Sequence, residues 1–144
     1  MKVYTIGFTK TSAESFFTRL KEAGVKRVVD VRLNNVSQLA GFAKKTDLRY
    51  FLKAICGAEY DHRPELAPTQ EMLDAYKKGG GSWAEYAKRF VDLMASRRIE
   101  ETVPPDVIDG ACLLCSEDKP HQCHRRLVAE YLKEKWGGIE IDHL

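Results

Sequence analysis

Residues 3–32, VYTIGFTKTSAESFFTRLKEAGVKRVVDVR, decide the fold class. Residues 3–8 read as a strand with Gly7 near its end. Thr9-Lys10-Thr11-Ser12 is a turn, in which Thr11 or Ser12 offers a side-chain oxygen to cap a helix. Phe16, Phe17, Leu20 and Ala23 then recur at helical spacing, and Gly24 closes that helix as a C-cap residue. Arg27-Val28-Val29-Asp30-Val31-Arg32 is a short buried strand. Strand, helix and strand within one such span make a βαβ unit, ordinarily parallel and right-handed.

The far end of the chain repeats the pattern. Gly110-Ala111-Cys112-Leu113-Leu114-Cys115 is a continuous apolar run, as a central parallel strand requires. A polar loop follows over 116–122. A helix then starts near Cys123 or His124 and runs to Lys135, with Leu127, Val128, Tyr131 and Leu132 inward. Gly137-Gly138 stops it, and residues 139–143 close the chain as a strand.

Between these ends the pattern is less regular. Residues 33–45 read as a loop holding Gly41-Phe42 and Lys44-Lys45. Leu48, Phe51, Leu52 and Ile55 share one face of a helix over 47–55. Residues 60–68 contain His62, Pro64 and Pro68 and read as extended chain or loop. Helices over 69–78 and 82–96 flank the Gly79-Gly80-Gly81 hinge, and Trp83, Tyr86, Phe90, Val91 and Met94 form a stripe that reads as core packing. The expectation is one α/β domain over residues 1–144. It has a mainly parallel sheet of about four strands, helices on both faces and a helical insertion.

Composition fits that size. The chain has 144 residues, of which 44% are hydrophobic, enough for a core in a domain of ordinary length. This excludes a disordered tail, a collagenous repeat and a cysteine-stapled miniprotein. The formal net charge is only +2, so any anion-binding role must come from local placement. No apolar run approaches the roughly 20 residues needed to cross a bilayer. The first residues are too short and mixed for a signal peptide, so the chain reads as cytoplasmic. The four cysteines, Cys56, Cys112, Cys115 and Cys123, then read as reduced thiols.

Ligands of open α/β sheets bind beyond the carboxyl ends of the strands. That rule gathers Thr9 and Lys10 after the first strand, Asp30 and Arg32 at the end of the second, and Cys115, Ser116, Glu117, Cys123, His124, Arg125 and Arg126 after the third. Asp30 and Arg32, two apart, project to the same face. They read either as an ion pair or as a carboxylate that orients a neighbour beside an anion-gripping arginine. Arg125 and Arg126 fall in the first turn of a helix, where cations oppose the dipole. A bound anion would compensate; pairing with Asp30, Glu117 or Asp118 is the plainer alternative.

Cys115 and Cys123 read as a nucleophile or redox thiol, since a helix N-terminus and arginine lower a thiol's pKa, or as buried structural cysteines. A third reading is a metal site built from Cys115, Cys123 and His124 with His62 or His121, although the spacing matches no recognised zinc ribbon. Cys112 and Cys115, three apart in a strand, point to opposite faces, which makes Cys112 a core residue. His62 can act as a general acid or base if its loop reaches the site. Lys44 and Lys45 can add phosphate contacts. Nine residues separate Cys115 from Arg125, a longer loop than rhodanese-like or phosphatase-like cradles use.

Several motifs together resemble one family. They are Tyr4-Thr5-Ile6-Gly7-Phe8-Thr9, Val29-Asp30-Val31-Arg32, Gly41-Phe42, Tyr60-x-His62-x-Pro64-x-Leu66, Leu113-Leu114-Cys115-x-Glu117 and Cys123-His124-Arg125-Arg126. In this order they resemble the bacterial and archaeal domain-of-unknown-function family 488. The resemblance spans nearly the whole chain, and the Cys-x-Glu…Cys-His-Arg block is its most specific part. It implies a compact α/β domain in which the matching polar residues form a shared site. Residues 33–40 depart from the family pattern by being more neutral, which weakens a polyanion-binding role for that loop.

Three functions of different class follow. The first is an enzyme acting on a nucleotide, a nucleic-acid base or another phosphorylated compound. Arg32, Arg125, Arg126, Lys10 and Lys44 would hold the anion, Cys115 or Cys123 would attack, and Asp30, Glu117, His62 and His124 would move protons. The second is a nucleic-acid-binding module without chemistry. The third is a structural or metal-binding Cys/His knot whose function lies with a partner.

Overall fold

The computed structural model describes residues 1–35, 41–117 and 119–144. Its strands are β1 (Lys2–Gly7), β2 (Arg27–Asp30), β3 (Glu59–His62), β4 (Ala111–Cys115) and β5 (Glu140–His143). They form one sheet in the order β3-β2-β4-β1-β5, parallel at every pairing. The helices are α1 (Ala13–Ala23), α2 (Lys45–Phe51), α3 (Gln70–Lys77), α4 (Trp83–Arg97), α5 (Ile99–Thr102), α6 (Pro105–Ile108) and α7 (His124–Trp136). The α/β class stands, with five strands in place of four.

The added strand is β3. Only Tyr60 of its four residues is buried, and Pro64 follows at once, so the local pattern reads as loop. Pairing with β2 makes it a strand: Val28 lies beside Tyr60 and Asp30 beside His62. The strand order is not sequential. β1 and β2 are parallel and joined by α1, but β4 lies between them. The all-apolar run 111–115 takes that central place because it is buried along its whole length, as a strand covered on both faces must be.

Strand alternation divides the core. Ile6, Val28, Cys112 and Leu114 point to the face covered by α1 and α2, where Phe16, Phe17, Leu20, Leu48 and Leu52 pack. Val3, Val29, Leu113 and Cys115 point to the other face, against Tyr86, Phe90, Met94 of α4 and Leu127, Val128, Tyr131 of α7. Helix α1 begins as the sequence directs: Ser12 Oγ accepts from Ser15 N at 3.1 Å, and Gly24 caps its end at φ 71°. Helix α2 starts two residues earlier than its periodicity suggests, and its last turn opens into a wider helical turn over Leu52–Cys56.

Adjacent strands β1 and β4 leave the sheet in opposite directions. β1 feeds α1 on one face and β4 feeds α7 on the other, and this divergence opens a crevice at their carboxyl ends. Gly7 makes the crevice floor possible. A Cβ there would overlap the Glu117 carbonyl oxygen and lie 2.9 Å from Arg125 Nη1.

Candidate functional site

A cleft of about 690 Å³ opens at the carboxyl ends of β2 and β4, within the range of small-molecule sites. Its floor is Cys115, Ser116, Cys123 and His124. Arg32 and Glu117 also line it, with Tyr76 and Lys77 of α3, Lys78 at the end of that helix, and Trp83 and Tyr86 of α4.

The floor is a compact cluster. One ligand atom from each of Cys115, Cys123 and His124 lies within 4.8 Å of the others, and all three residues are buried. Cys115 ends β4 on the α7 face, and Cys123 is the N-cap of α7, with no side-chain cap bond. Cys115 Sγ is 3.5 Å from His124 Nδ1 and 3.7 Å from Nε2. His124 Nε2 is 2.7 Å from the Val31 carbonyl oxygen. A carbonyl only accepts, so Nε2 carries the proton and Nδ1 presents a lone pair.

The two sulfurs share protons unequally. A hydrogen bond from the Cys123 thiol holds Cys115 below the ordinary thiol range. The Ser116 N–H and the Arg125 charge act in the same sense, against burial. Cys123 is pushed well above that range by the same hydrogen bond and by burial. Burial lowers His124 from its ordinary value. Burial raises the Tyr86 phenol, and the nearby Cys115 and Cys123 sulfurs raise it further.

Asp30 and Arg32 form a buried unit beside the cluster. Arg32 Nε and Nη2 each donate to the Asp30 carboxylate at 2.8 Å, and Nη2 also donates to the Ala43 carbonyl at 2.8 Å. The Tyr60 hydroxyl donates to Asp30, and Asn35 Nδ2 donates to Tyr60 at 3.0 Å. Arg32 packs over the Phe8 ring at 5.3 Å. The pair is an ion pair, as the plainer reading has it; Arg32 lines the cleft and Asp30 does not.

The other candidates lie elsewhere. His62 sits at the end of β3, where Nε2 donates to the Arg32 carbonyl at 2.9 Å; it steadies that wall without lining the cleft. Arg125 is buried, and its Nη1 donates to the Glu117 carbonyl. Thr9 N and Oγ1 both donate to the Ser116 carbonyl, at 3.0 and 2.6 Å. Together they clamp the loop after β4. Arg126 reaches Glu130 at 3.5 Å on the outer face of α7. Lys10, Lys44, Lys45 and His121 are exposed and outside the cleft lining. Asp118 and most of the neutral loop, residues 36–40, lie outside the described residues. Cys112 is buried in the core on the opposite face.

The aromatic and basic wall is what the sequence reading missed. Trp83 and Tyr76 are half-buried and Tyr86 is buried. Their rings contact one another at 4.9–5.9 Å between centroids. Tyr86 continues to Phe90 and Phe90 to His124. Of the stripe, Phe90 and Met94 are core, Trp83 and Tyr86 line the cleft, and Val91 is exposed rather than packed. Lys77 Nζ is 3.4 Å from Glu117 Oε1 and Lys78 Nζ 3.5 Å from Asp74 Oδ1. A basic pair ahead of a triple-glycine turn and an aromatic i, i+3 pair was the available signal; it became meaningful only once α3 and α4 folded back on each other.

Comparison with curated proteins and with solved structures finds no match. A family model described as "Domain of unknown function DUF488" matches residues 12–132, most of the chain, with the Tyr4–Thr9 motif just outside the matched span. On that match the chain belongs to the DUF488 domain family.

Proposed function

We propose that this chain is an enzyme acting on a small ligand that joins a flat ring to an anionic group, the chemistry of a nucleotide or phosphorylated base derivative. Its reacting centre is Cys115, Cys123 and His124. The observation that carries this reading is the cleft itself, which faces that cluster with an aromatic wall and two lysines. Trp83 and Tyr76 offer ring faces for stacking. Lys77 and Lys78 are held by exposed carboxylates; such pairs are weak, so an incoming anion can replace them. Glu117 and Asp74 are the carboxylates lining the cleft, and Glu117, on the loop after β4 beside Cys115, is the one assigned to move a proton. Arg125 acts as a positioning residue for the Glu117 loop, and Asp30 and His62 do the same for Arg32.

A titration of Trp83 fluorescence tests this with purine and pyrimidine nucleoside monophosphates, the parent nucleosides and inorganic phosphate. Saturable quenching by a monophosphate, at least about tenfold tighter than by its nucleoside or by phosphate, is expected from losing either half of the contacts. Lys77→Ala/Lys78→Ala should reduce the monophosphate to the level of the nucleoside. Chromatography of the bound compound should show conversion in the wild type, and binding without conversion in Cys115→Ala. Absence of saturable binding across the panel, or equal conversion by Cys115→Ala, would sink the reading.

A further inference from the structure

The centre's three donors have a second consequence. We propose that Cys115, Cys123 and His124 form a binding site for one thiophilic divalent cation of the zinc class, open on its fourth side to the cleft. The inference deepens the reading of the same centre, but it does not depend on which ligand the cleft takes.

The donor set is the first support. Two cysteine sulfurs and one imidazole nitrogen suit zinc and its close relatives rather than magnesium or calcium, which take oxygen. Spacing is the second. Ligand atoms about 2.3 and 2.0 Å from one tetrahedral centre lie about 3.5 Å apart, and Cys115 Sγ to His124 Nδ1 is 3.5 Å. The third is the support behind the histidine. Nε2–H is anchored on the Val31 carbonyl at 2.7 Å, which leaves Nδ1 as the free donor atom in the cluster. Metal-binding histidines are held by their other nitrogen in this way.

Charge and topology agree. Two thiolates and a neutral imidazole around a divalent ion sum to zero, which lets both buried sulfurs ionise at once. Among the described residues no fourth Cys, His, Asp or Glu joins the group, whereas structural zinc sites are closed by four protein ligands. All three donors line the cleft, so the remaining coordination position faces it. That is the arrangement of a site that holds a water or a ligand atom on the metal.

Cobalt substitution tests the inference on the full chain. Protein stripped with a chelator under reducing conditions is titrated anaerobically with Co(II). One ion per chain is expected, with the visible bands of tetrahedral cobalt and a near-ultraviolet sulfur-to-cobalt charge-transfer band, both bleached by added zinc. Cys115→Ser and Cys123→Ser should each cut the charge-transfer intensity and weaken binding beyond the roughly 10–100-fold that outer-shell changes cost.

Because either serine variant can fail to fold, the wild type supplies a second readout. Zinc should slow alkylation of Cys115 and Cys123, located by mass spectrometry, by about tenfold or more while leaving Cys56 unchanged. Six-coordinate cobalt without charge transfer, or equal alkylation of Cys115 and Cys123 with and without zinc, would overturn the site. The Trp83 titration on metal-free protein separates the two ideas. Quenching without cobalt binding removes the metal and leaves the ligand reading; cobalt binding with no quenching of either the metal-free or the zinc-loaded protein does the reverse.

Discussion

Gly7 and Arg125 meet where β1, β4 and α7 converge, and each makes sense only through the other. The missing side chain at Gly7 lets the Glu117 carbonyl approach the end of β1, and Arg125 Nη1 then donates to that carbonyl. Gly7→Ala must push the loop after β4 outward. We expect a loss of about 1–3 kcal/mol, the usual cost of overpacking, and a larger loss of cleft binding than an equally destabilising change in α1 causes. Urea melts and the Trp83 titration check both; unchanged stability would show that the loop gives way freely. The Asp30–Arg32 pair predicts a stronger effect. Both side chains are almost fully buried, at 0% and 2% exposure. Arg32→Met leaves Asp30 charged, with only the Tyr60 hydroxyl and the backbone N–H of residue 32 as donors, and should cost about 3–5 kcal/mol. Replacing both, as Asp30→Leu/Arg32→Met, should recover much of that. A single variant losing under about 1 kcal/mol would mean the pair is open to water.

At the scale of elements, the short strand β5 carries an exposed histidine whose protonation is linked to folding. His143 Nδ1 is 2.6 Å from Thr5 Oγ1 of β1. His143 is exposed overall, but partial desolvation of its ring lowers its pKa from the ordinary histidine value, and Arg125 and Arg126 of α7 push it the same way, against Glu130 of α7 and Asp142 of β5. The unfolded chain therefore takes up a proton at a pH where the folded one does not. Stability falls as pH drops from about 6.5 toward the lower folded midpoint, and is fully present above. His143→Gln should flatten part of the decline in melting temperature over that window. A His143 midpoint at or above the ordinary value, measured by NMR, would refute the assignment. The same scale shows what the chain discloses locally. The period of two puts Cys112 and Cys115 on opposite faces, and the Thr11-Ser12 pair and Gly24 mark the ends of α1. β3 stayed hidden because its only inward residue is Tyr60; the strand exists through its pairing to β2. The insertion of β4 between β1 and β2 is likewise no local property. For the site, the rule about strand ends found Cys115, Cys123, His124, Arg32 and Glu117, all on the cleft. It also gathered Lys10, Arg125 and Arg126, because it knows where a strand ends but not where a long side chain goes. The wall from Tyr76 to Tyr86 needed the α3–α4 pairing, which no short window encodes.

For the whole molecule, the sheet separates two cores and places a cysteine in each kind of environment. Cys112 lies in the central strand at 0% exposure, facing α1 and α2. Cys56 is half-buried beside Phe17, whose carbonyl accepts its thiol at 3.6 Å. Cys115 and Cys123 are buried against α4 and α7 but border the cleft. A thiol reagent therefore meets different openings of one fold. Cys56 needs only local motion at the end of the Leu52–Cys56 turn. Cys112 requires the central strand to lose both its layers, which is global unfolding. Its labelling should accelerate with urea along the full slope of the equilibrium transition, whereas Cys56 should label in the native state with little dependence on urea. Cys115 and Cys123 should fall between and should respond to anything that fills or closes the cleft. Peptide mapping of a labelling time course resolves all four. If Cys112 labels with Cys56 in the absence of urea, the α1 face opens independently, and the sheet is not the single cooperative element that its central strand implies.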